Sequence, residues 1–280
     1  MTEAPAALPA ELSMGEGQPA DTDAGARAVL GEADLERRFG GLRRLHGDEG
    51  YVRLRAARVA VVGLGGVGSW AVEALARCGV ASLVLFDLDH VAESNINRQA
   101  QALGTTVGAH KGLALQARIA DIHPGCAVHV VDAFVEAENW PGLLPVPVDA
   151  LIDACDSAPA KLALAAWALQ AGVPLVCVGA AGGKREAQRV EVADLAETTH
   201  DPLLASLRQR LRKHAGAPRS GPMGLRCVFS RESVMAPPDS CNADGSLNCH
   251  GYGSTVTVTA TFGMVAAGEA IRQLLAAPPR

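Results

Sequence analysis

No C-x-x-C pair occurs anywhere in the 280 residues, and the seven cysteines, at 78, 126, 155, 177, 227, 241 and 249, are odd in number. These absences exclude a disulfide framework and a four-cysteine zinc site, so no zinc is expected, and they suit a reducing, cytoplasmic setting. A net positive charge is missing as well. The formal balance is −5, so any nucleic-acid contact has to come from local basic patches. Residues 1–32 are rich in Ala, Pro, Gly and acids and lack the basic start and apolar run of a signal peptide. They read as a disordered tail. A membrane-spanning stretch is also wanting: Thr255 to Ala267 is apolar, but four threonines and Gly263 interrupt it, and charged Glu269 and Arg272 follow. It is shorter than the ~20 residues a spanning helix needs and reads as a buried helix, which leaves room for peripheral membrane association only.

What is present is organised around Arg58 to Asp89. Val59 to Val62 form an apolar, β-branched run that reads as a buried strand, and Gly63, Gly65 and Gly68 follow on the G-x-G-x-x-G spacing. Gly63 allows a tight turn. Gly65 and the additional Gly66 let backbone N–H groups approach a phosphate at a helix start. Ser69 to Arg77 continue as that helix, which stops at Gly79, and Ser82 to Phe86 form a second strand ending on Asp87, where a carboxylate can accept from ribose hydroxyls. The expected fold class is α/β: a Rossmann-like, doubly wound, mostly parallel sheet with helices on both faces, extended by a C-terminal α/β part and a long loop. Residues 33–275 are expected to form one nucleotide-binding domain, with the loop at about 235–250.

The second informative stretch is Leu88 to Lys111, in which Asp89, Asn95, Asn97, Arg98 and Gln99 crowd together ahead of Lys111, the start of a helix running to Ile122. Arg and Lys suit phosphate oxygens, one as a planar fork and the other as a point charge. A nicotinamide-binding oxidoreductase would share the glycine turn and Asp87 but has no need of Asn95, Arg98 and Lys111 together. Cys126 to Val131 and Val148 to Asp153 read as further strands. Asp156 then falls just past a strand's carboxyl end, where open parallel sheets bind ligands, or else it caps the helix that begins near Pro159.

Elsewhere, Ala33 to His46 reads as a helix broken at Gly40-Gly41, with Arg37, Arg38, Arg43 and Arg44 around the break, either as a solvated face or to reach an anion in a neighbouring subunit. Glu186 to Val192 alternate like a partly exposed strand. Pro202 to His214 form an amphipathic helix carrying Arg208, Arg210, Arg212 and Lys213, extended by Arg219 and Arg226. This is the best local candidate for contacting a phosphate backbone, with a solvated helix face as the other reading. Met235 to His250 form a Pro/Gly/Ser/Asn loop bearing Cys241 and Cys249, which are accessible candidates for a catalytic thiol or two inert ones.

Taken in order, the glycine turn, Asp87-x-Asp89, Asn95-x-x-Arg98-Gln99, Lys111 and Asp156 resemble the adenylating family that includes ubiquitin-activating enzymes and the molybdopterin- and thiamine-pathway adenylyltransferases, over roughly Glu36 to Leu275. The resemblance implies that Gly63, Gly65, Gly66, Gly68, Asp87 and Asp89 hold ATP. It implies that Asn95, Arg98 and Lys111 surround the phosphates, that Asp156 serves Mg2+ and the reacting phosphate, and that Arg98, Lys111 and Asp156 carry the catalysis. Several strings are similar to one branch, the bacterial tRNA threonylcarbamoyladenosine dehydratases. These are Arg38-Phe39-Gly40-Gly41 with Arg44-Leu45, GLGGVGSWAVEALAR at 63–77, DLAETTHDPL at 194–203, CVFSRE at 227–232 and TVTATFGMVA at 257–266.

The activity implied is ATP-dependent cyclisation of threonylcarbamoyladenosine at position 37 of tRNA through a carboxyl-adenylate. The alternative is activation of the C-terminal glycine of a ubiquitin-like sulfur-carrier protein. A homodimer is implied, while a cysteine-desulfurase or sulfur-acceptor partner and a monovalent cation stay open. In one respect the chain departs from the molybdopterin-type pattern: Gly41 stands where an arginine would reach the partner's ATP, leaving Arg38, Arg43 or Arg44 to replace it.

Overall fold

A computed structural model describes Met1, residues 33–235 and residues 252–276. The tail expected at 1–32, apart from Met1, and most of the loop expected at 235–250, with Cys241 and Cys249, lie outside the described residues.

The β-branched runs become strands because each can bury both faces. Arg58–Val62 (β1), Ser82–Phe86 (β2), Ala127–Val131 (β3), Ala150–Asp153 (β4), Leu175–Val178 (β5), Val190–Asp194 (β6) and Arg226–Ser230 (β7) form one sheet in the order β3-β2-β1-β4-β5-β7-β6. All pairings are parallel except that of β6 with β7. Parallel strands need crossovers, and these are supplied by the helices Gly68–Arg77 (α3), Lys111–Ile122 (α4), Ala158–Ala171 (α5) and Pro202–His214 (α6). Leu35–Phe39 (α1), Gly41–Ala56 (α2) and Val256–Ala276 (α7) complete the set.

Successive strand residues point to opposite faces, so the sheet feeds two cores. Val59, Val61, Leu83, Leu85 and Ile152 pack with Leu75 of α3, Ile119 of α4 and Phe262 of α7. Ala60, Val62, Phe86, Leu151 and Cys177 pack with Leu164 of α5 and Leu207 of α6. The expected doubly wound sheet with helices on both faces is therefore present, and Thr255 to Ala267 is largely a buried helix, as expected. Among the described residues no helix is long and apolar enough to cross a membrane.

Two local expectations change. The strand expected over Glu186 to Val192 begins only at Val190, because the Glu232 carboxylate takes the backbone N–H groups of Arg185 and Glu186, each at 2.9 Å, and withdraws them from the ladder. The break at Gly40-Gly41 is real, but α2 bends again at Gly47, whose φ of 72° is left-handed.

The α1–α2 unit is tied to the end of α4. Arg38 Nη1 donates to the carbonyls of Asp121 and Ile122, both at 2.7 Å, where a helix C-terminus favours a cation. Arg55 Nη1 donates to His123 Nε2 at 2.7 Å, and the Phe39 ring lies 4.7 Å from the imidazole. The buried ring is thereby held neutral: burial first, then the Arg55 and Arg38 charges, lower its pKa to about 4. In the unfolded chain an ordinary histidine binds a proton near pH 6.5. Between these values the unfolded state carries more protons than the native one, so stability is full above about pH 6.5 and declines as the pH falls towards 4. Urea unfolding is expected to show a loss of about 2 kcal/mol between pH 7 and pH 5 from this residue. That component should disappear in His123→Gln, which can still accept from Arg55.

Candidate active site

The chain's sequence order reverses between β1 and β4, which is where an open parallel sheet leaves a crevice at its carboxyl edge. Two turns leave the sheet there, and they touch. Gly63, with φ 85°, closes the turn after β1, and a Cβ on it would lie 2.9 Å from the Ala154 carbonyl oxygen and from Cys155 backbone atoms. A Cβ on Gly68 would strike the Gly63 carbonyl. By contrast, a Cβ on Gly65 would meet nothing within 4 Å. The glycine turn is thus packed from behind and open in front, and α3 starts beside it with no side chain capping its N-terminus. That leaves the positive end of the helix dipole facing the crevice.

Asp87, at the end of β2, holds the turn in place. Its Oδ2 accepts from Leu64 N at 2.6 Å and its Oδ1 from Asp89 N at 2.8 Å. Each oxygen keeps a lone pair for a ligand hydroxyl. Lys111 opens α4 and is 6 % exposed. Its Nζ lies 2.7 Å from Asp89 Oδ2 and 4.0 Å from Asp87 Oδ1, so the three charged residues converge. Arg98 and Asn95 are also buried. The Asn95 side chain accepts from Ala92 N and shapes the short turn, Arg98 Nη1 donates to Ser94 O and Asn97 Oδ1, and Trp70 of α3 donates to the Arg98 carbonyl at 2.8 Å. Gly66 lies directly under the Arg98 stem, with a Cβ there only 3.2 Å from Arg98 Cγ. Arg98 is therefore packed over the glycine turn.

On the other side of the crevice, the capping role expected as one reading of Asp156 falls to its neighbour. Ser157 Oγ accepts from Ala160 N at 3.3 Å and caps α5, while Asp156 is exposed with no hydrogen bond or ion pair among the described residues. The turn carrying Asp156 rests on a charge pair that the strand pattern did not disclose. Lys161 and Asp153 are both fully buried, with Nζ 3.1 Å from Oδ2. Lys161 also donates to the carbonyls of Val178 and Asp153, and Asp153 Oδ1 accepts from Cys155 N and from its thiol at 3.0 Å. Asp153 holds Lys161 charged, whereas burial and the Asp153 charge push the Cys155 thiol well up and keep it protonated. A lysine in the first turn of an otherwise Ala/Leu-rich helix was the signal available for it. Gln101, buried with Nε2 on the Leu64 carbonyl at 2.9 Å, extends the polar run from Asn95 and was likewise passed over.

The basic stretch divides. Arg208 Nη1 is spent on the Leu195 and Thr198 carbonyls and the Thr198 hydroxyl, all at 3.0 Å, and Arg226 pairs with Glu269 at 3.1 Å. Arg212 binds the Pro218 and Arg219 carbonyls, whereas Arg210 and Lys213 are exposed. Arg208 and Arg226 therefore hold the protein together and leave only part of the expected patch presented. At α1–α2, Arg38 and Arg43 are engaged within the chain, Arg43 with Asp48 and Glu36, while Arg44 is exposed. Among the described residues no group of three or more His, Cys, Asp or Glu is gathered in a way that would hold a metal ion.

A doubly wound α/β sheet with a glycine turn, a carboxylate after the second strand and cationic side chains converging on the switch point defines a protein of the Rossmann-like nucleotide-binding class. Within that class the chain belongs to the ThiF family, whose sequence pattern matches residues 37–280. It is 41 % identical over 255 residues to the tRNA threonylcarbamoyladenosine dehydratase of Escherichia coli, covering 87 % of this chain and 95 % of that protein. The crystal structure of the E. coli enzyme in complex with ATP superposes with a TM-score of 0.79, 40 % identity, and coverage of 88 % of this chain and 98 % of that one. The sulfur carrier protein adenylyltransferase of Thermus thermophilus is 34 % identical over 130 residues, 46 % of this chain and 48 % of that protein.

The site geometry separates the packed Gly68 from the open Gly65. Gly65→Ala is expected to leave the melting temperature within about 2 °C while weakening ATP binding more than about tenfold, since its methyl enters open space that a phosphate would fill. Gly68→Ala should lower stability severely instead. Lys161→Met strands the Asp153 charge and is expected to cost about 3–5 kcal/mol in urea unfolding. Asp153→Leu combined with Lys161→Met should restore much of that stability without restoring ATP binding, because the Cys155 N–H loses its acceptor and the Asp156 turn loses its shape.

Proposed function

We propose that this chain is an ATP-dependent tRNA threonylcarbamoyladenosine dehydratase that closes the nucleoside at position 37 into a ring and forms AMP. The observation that supports the reading is the crevice itself, with buried Arg98 and Lys111 and an uncapped helix start on one side of the switch point and an exposed carboxylate, Asp156, after β4 on the other, in a chain related over nearly its whole length to an enzyme of that name.

The chemical problem is to bring the carboxylate of the threonyl group against the α-phosphate of ATP, two anions, and to stabilise the charge that builds on the phosphoryl oxygens. Lys111 supplies a point charge, Arg98 a planar fork, and the N–H groups at the start of α3 supply oriented dipoles. Gly65 leaves the space for the phosphates to approach, and Asp87 accepts from the ribose. Attack expels pyrophosphate and leaves an acyl-adenylate. The carbamoyl group of the same nucleoside then closes onto the activated carbon and releases AMP, so water leaves the nucleoside as ATP is split. No protein nucleophile is needed, and Cys241 and Cys249 are given no step.

Asp156, exposed and without a partner among the described residues, fits a Mg2+ ion arriving with ATP, and such an ion would neutralise phosphate charge there. For tRNA, Arg210, bonded only to Ser206 Oγ at 3.2 Å among the described residues, and Lys213 are exposed on the basic helix where a phosphate backbone could meet them. Homodimerisation through this domain, residues 33–275, would bring an arginine to the partner's nucleotide, and of Arg38, Arg43 and Arg44 it is Arg44 that is exposed and not engaged among the described residues. No described side-chain cluster speaks for a monovalent cation or for a cysteine-desulfurase or sulfur-acceptor partner.

Purified protein given ATP, Mg2+ and tRNA bearing threonylcarbamoyladenosine is expected to form AMP while the nucleoside loses the mass of one water. Asp156→Ala should reduce turnover at least about a thousandfold with the fold intact. An unchanged nucleoside, with pyrophosphate exchange stimulated by a small carrier protein, would instead establish the carrier-activating activity.

A further inference from the structure

We propose that His110 is a positioning residue for Lys111 and that only its neutral ring can do this work. The inference rests on the reading of Lys111 as a ligand of ATP phosphate. His110 immediately precedes α4 with extended backbone, and its side chain is the cap of that helix: Nδ1 accepts from Gly112 N at 3.1 Å. The ring proton therefore sits on Nε2, which donates to Asp132 Oδ1 at 3.1 Å, just beyond β3. The imidazole is almost entirely buried, at 9 % side-chain exposure, whereas Asp132 is largely in solvent at 66 %.

The same segment is pinned to the strand-like stretch after β2. His90 and His110 form an antiparallel bridge, Val91 N donates to Ala109 O at 2.8 Å, and Lys111 N donates to Asp89 O at 3.0 Å. This small ladder and the His110 cap are what fix the first turn of α4 against Asp89, the partner of Lys111 Nζ. Asp, Asn, Ser and Thr are the usual caps, and none of them can lose its acceptor near neutral pH. An imidazole can, because histidine is the side chain that changes charge in this range.

A second proton on the ring must go to Nδ1. It would turn the acceptor facing Gly112 N–H into a donor and place a cation at the positive end of the α4 dipole. The charged and titratable groups around the ring are Asp132, His90 with its ring edge-on at 5.6 Å, and Lys111 and Asp89 in the adjoining ladder. Asp132, the acid bonded to the ring, would retain its bond to Nε2 in either state. Protonation thus removes the cap without removing the ring, and Lys111 loses its fixed origin.

The test compares ATP binding, measured by calorimetry without tRNA, in the wild type, His110→Asn, His110→Ala and Lys111→Ala at about pH 8 and about pH 5.5. At the higher pH, His110→Ala is expected to bind about fivefold more weakly than the wild type, as loss of a cap implies, and His110→Asn to bind within about twofold. At the lower pH the wild type should fall towards His110→Ala, whereas His110→Asn should not. The wild-type to Asn ratio cancels the titration of ATP itself. Nitrogen-15 spectra of labelled histidine at the higher pH should show His110 protonated on Nε2. Unchanged affinity in His110→Ala while Lys111→Ala binds weakly, or a wild-type to Asn ratio independent of pH, would overturn the role of His110. Unchanged affinity in Lys111→Ala would overturn the phosphate reading beneath it.

Discussion

The architecture depends on the contact between two backbone turns at the centre of the sheet. The turn after β1 and the turn after β4 meet where no side chain fits, with Gly63 against Ala154 and Cys155 and Gly68 against Gly63. This approach fixes the distance between the half of the chain that presents Asp87, Arg98 and Lys111 and the half that presents Asp156. The sheet makes the approach possible because β1 and β4 are neighbours although about ninety residues separate them in sequence, and the reversal of strand order between them leaves both turns uncovered by a crossover helix.

The buried Lys161–Asp153 pair supports one side of that contact. A charge pair removed from water brings no assured net stability, but losing one member is severe, so its value lies in the geometry it enforces. Lys161 spans the ends of β4 and β5 through their carbonyls, and Asp153 fixes the Cys155 N–H and thiol. With the turn shaped by Ser157 and Asp153, Asp156 is left unoccupied by any structural duty. The opposite side of the crevice uses its charges differently: Lys111, Asp89 and Asp87 form a polar cluster in which positive charge is held ready but balanced. Lys111 is buried while its partner Asp89 stands largely in solvent, so the pair lies at the mouth of the crevice.

Much of this was legible in the chain. The strand, glycine turn, helix and second strand with its terminal acid follow from β-branched runs, glycine spacing and the break at Gly79, and they recur in β1, α3 and β2 within a residue. Lys111 at the first position of α4 and Pro202 to His214 as α6 were readable for the same reason, since helix ends are local events. The expected strand at Glu186 started late because Glu232, distant in sequence, captured its N–H groups. The expected cap at Asp156 passed to Ser157, as either residue type can cap and only the turn geometry chooses. Arg208 borders the Leu204, Leu207 and Leu211 stripe while Arg210 points away from it, but the Leu195 and Thr198 carbonyls that bind Arg208 belong to another segment.

The sequence by itself determined the class of fold, the order of its elements and the polar residues that gather at the switch point, because those depend on periodicity, glycine placement and caps within a few residues. The tertiary structure alone decided which charges are free and which are spent. Arg38, Arg43, Arg208 and Arg226 are consumed by carbonyls and acids brought to them by folding, Lys161 is sealed against Asp153, and Asp156 and Arg44 are left exposed. The physical reason is that a charge buried in a protein needs a partner, and where that partner stands is set by chain crossings that no local pattern records.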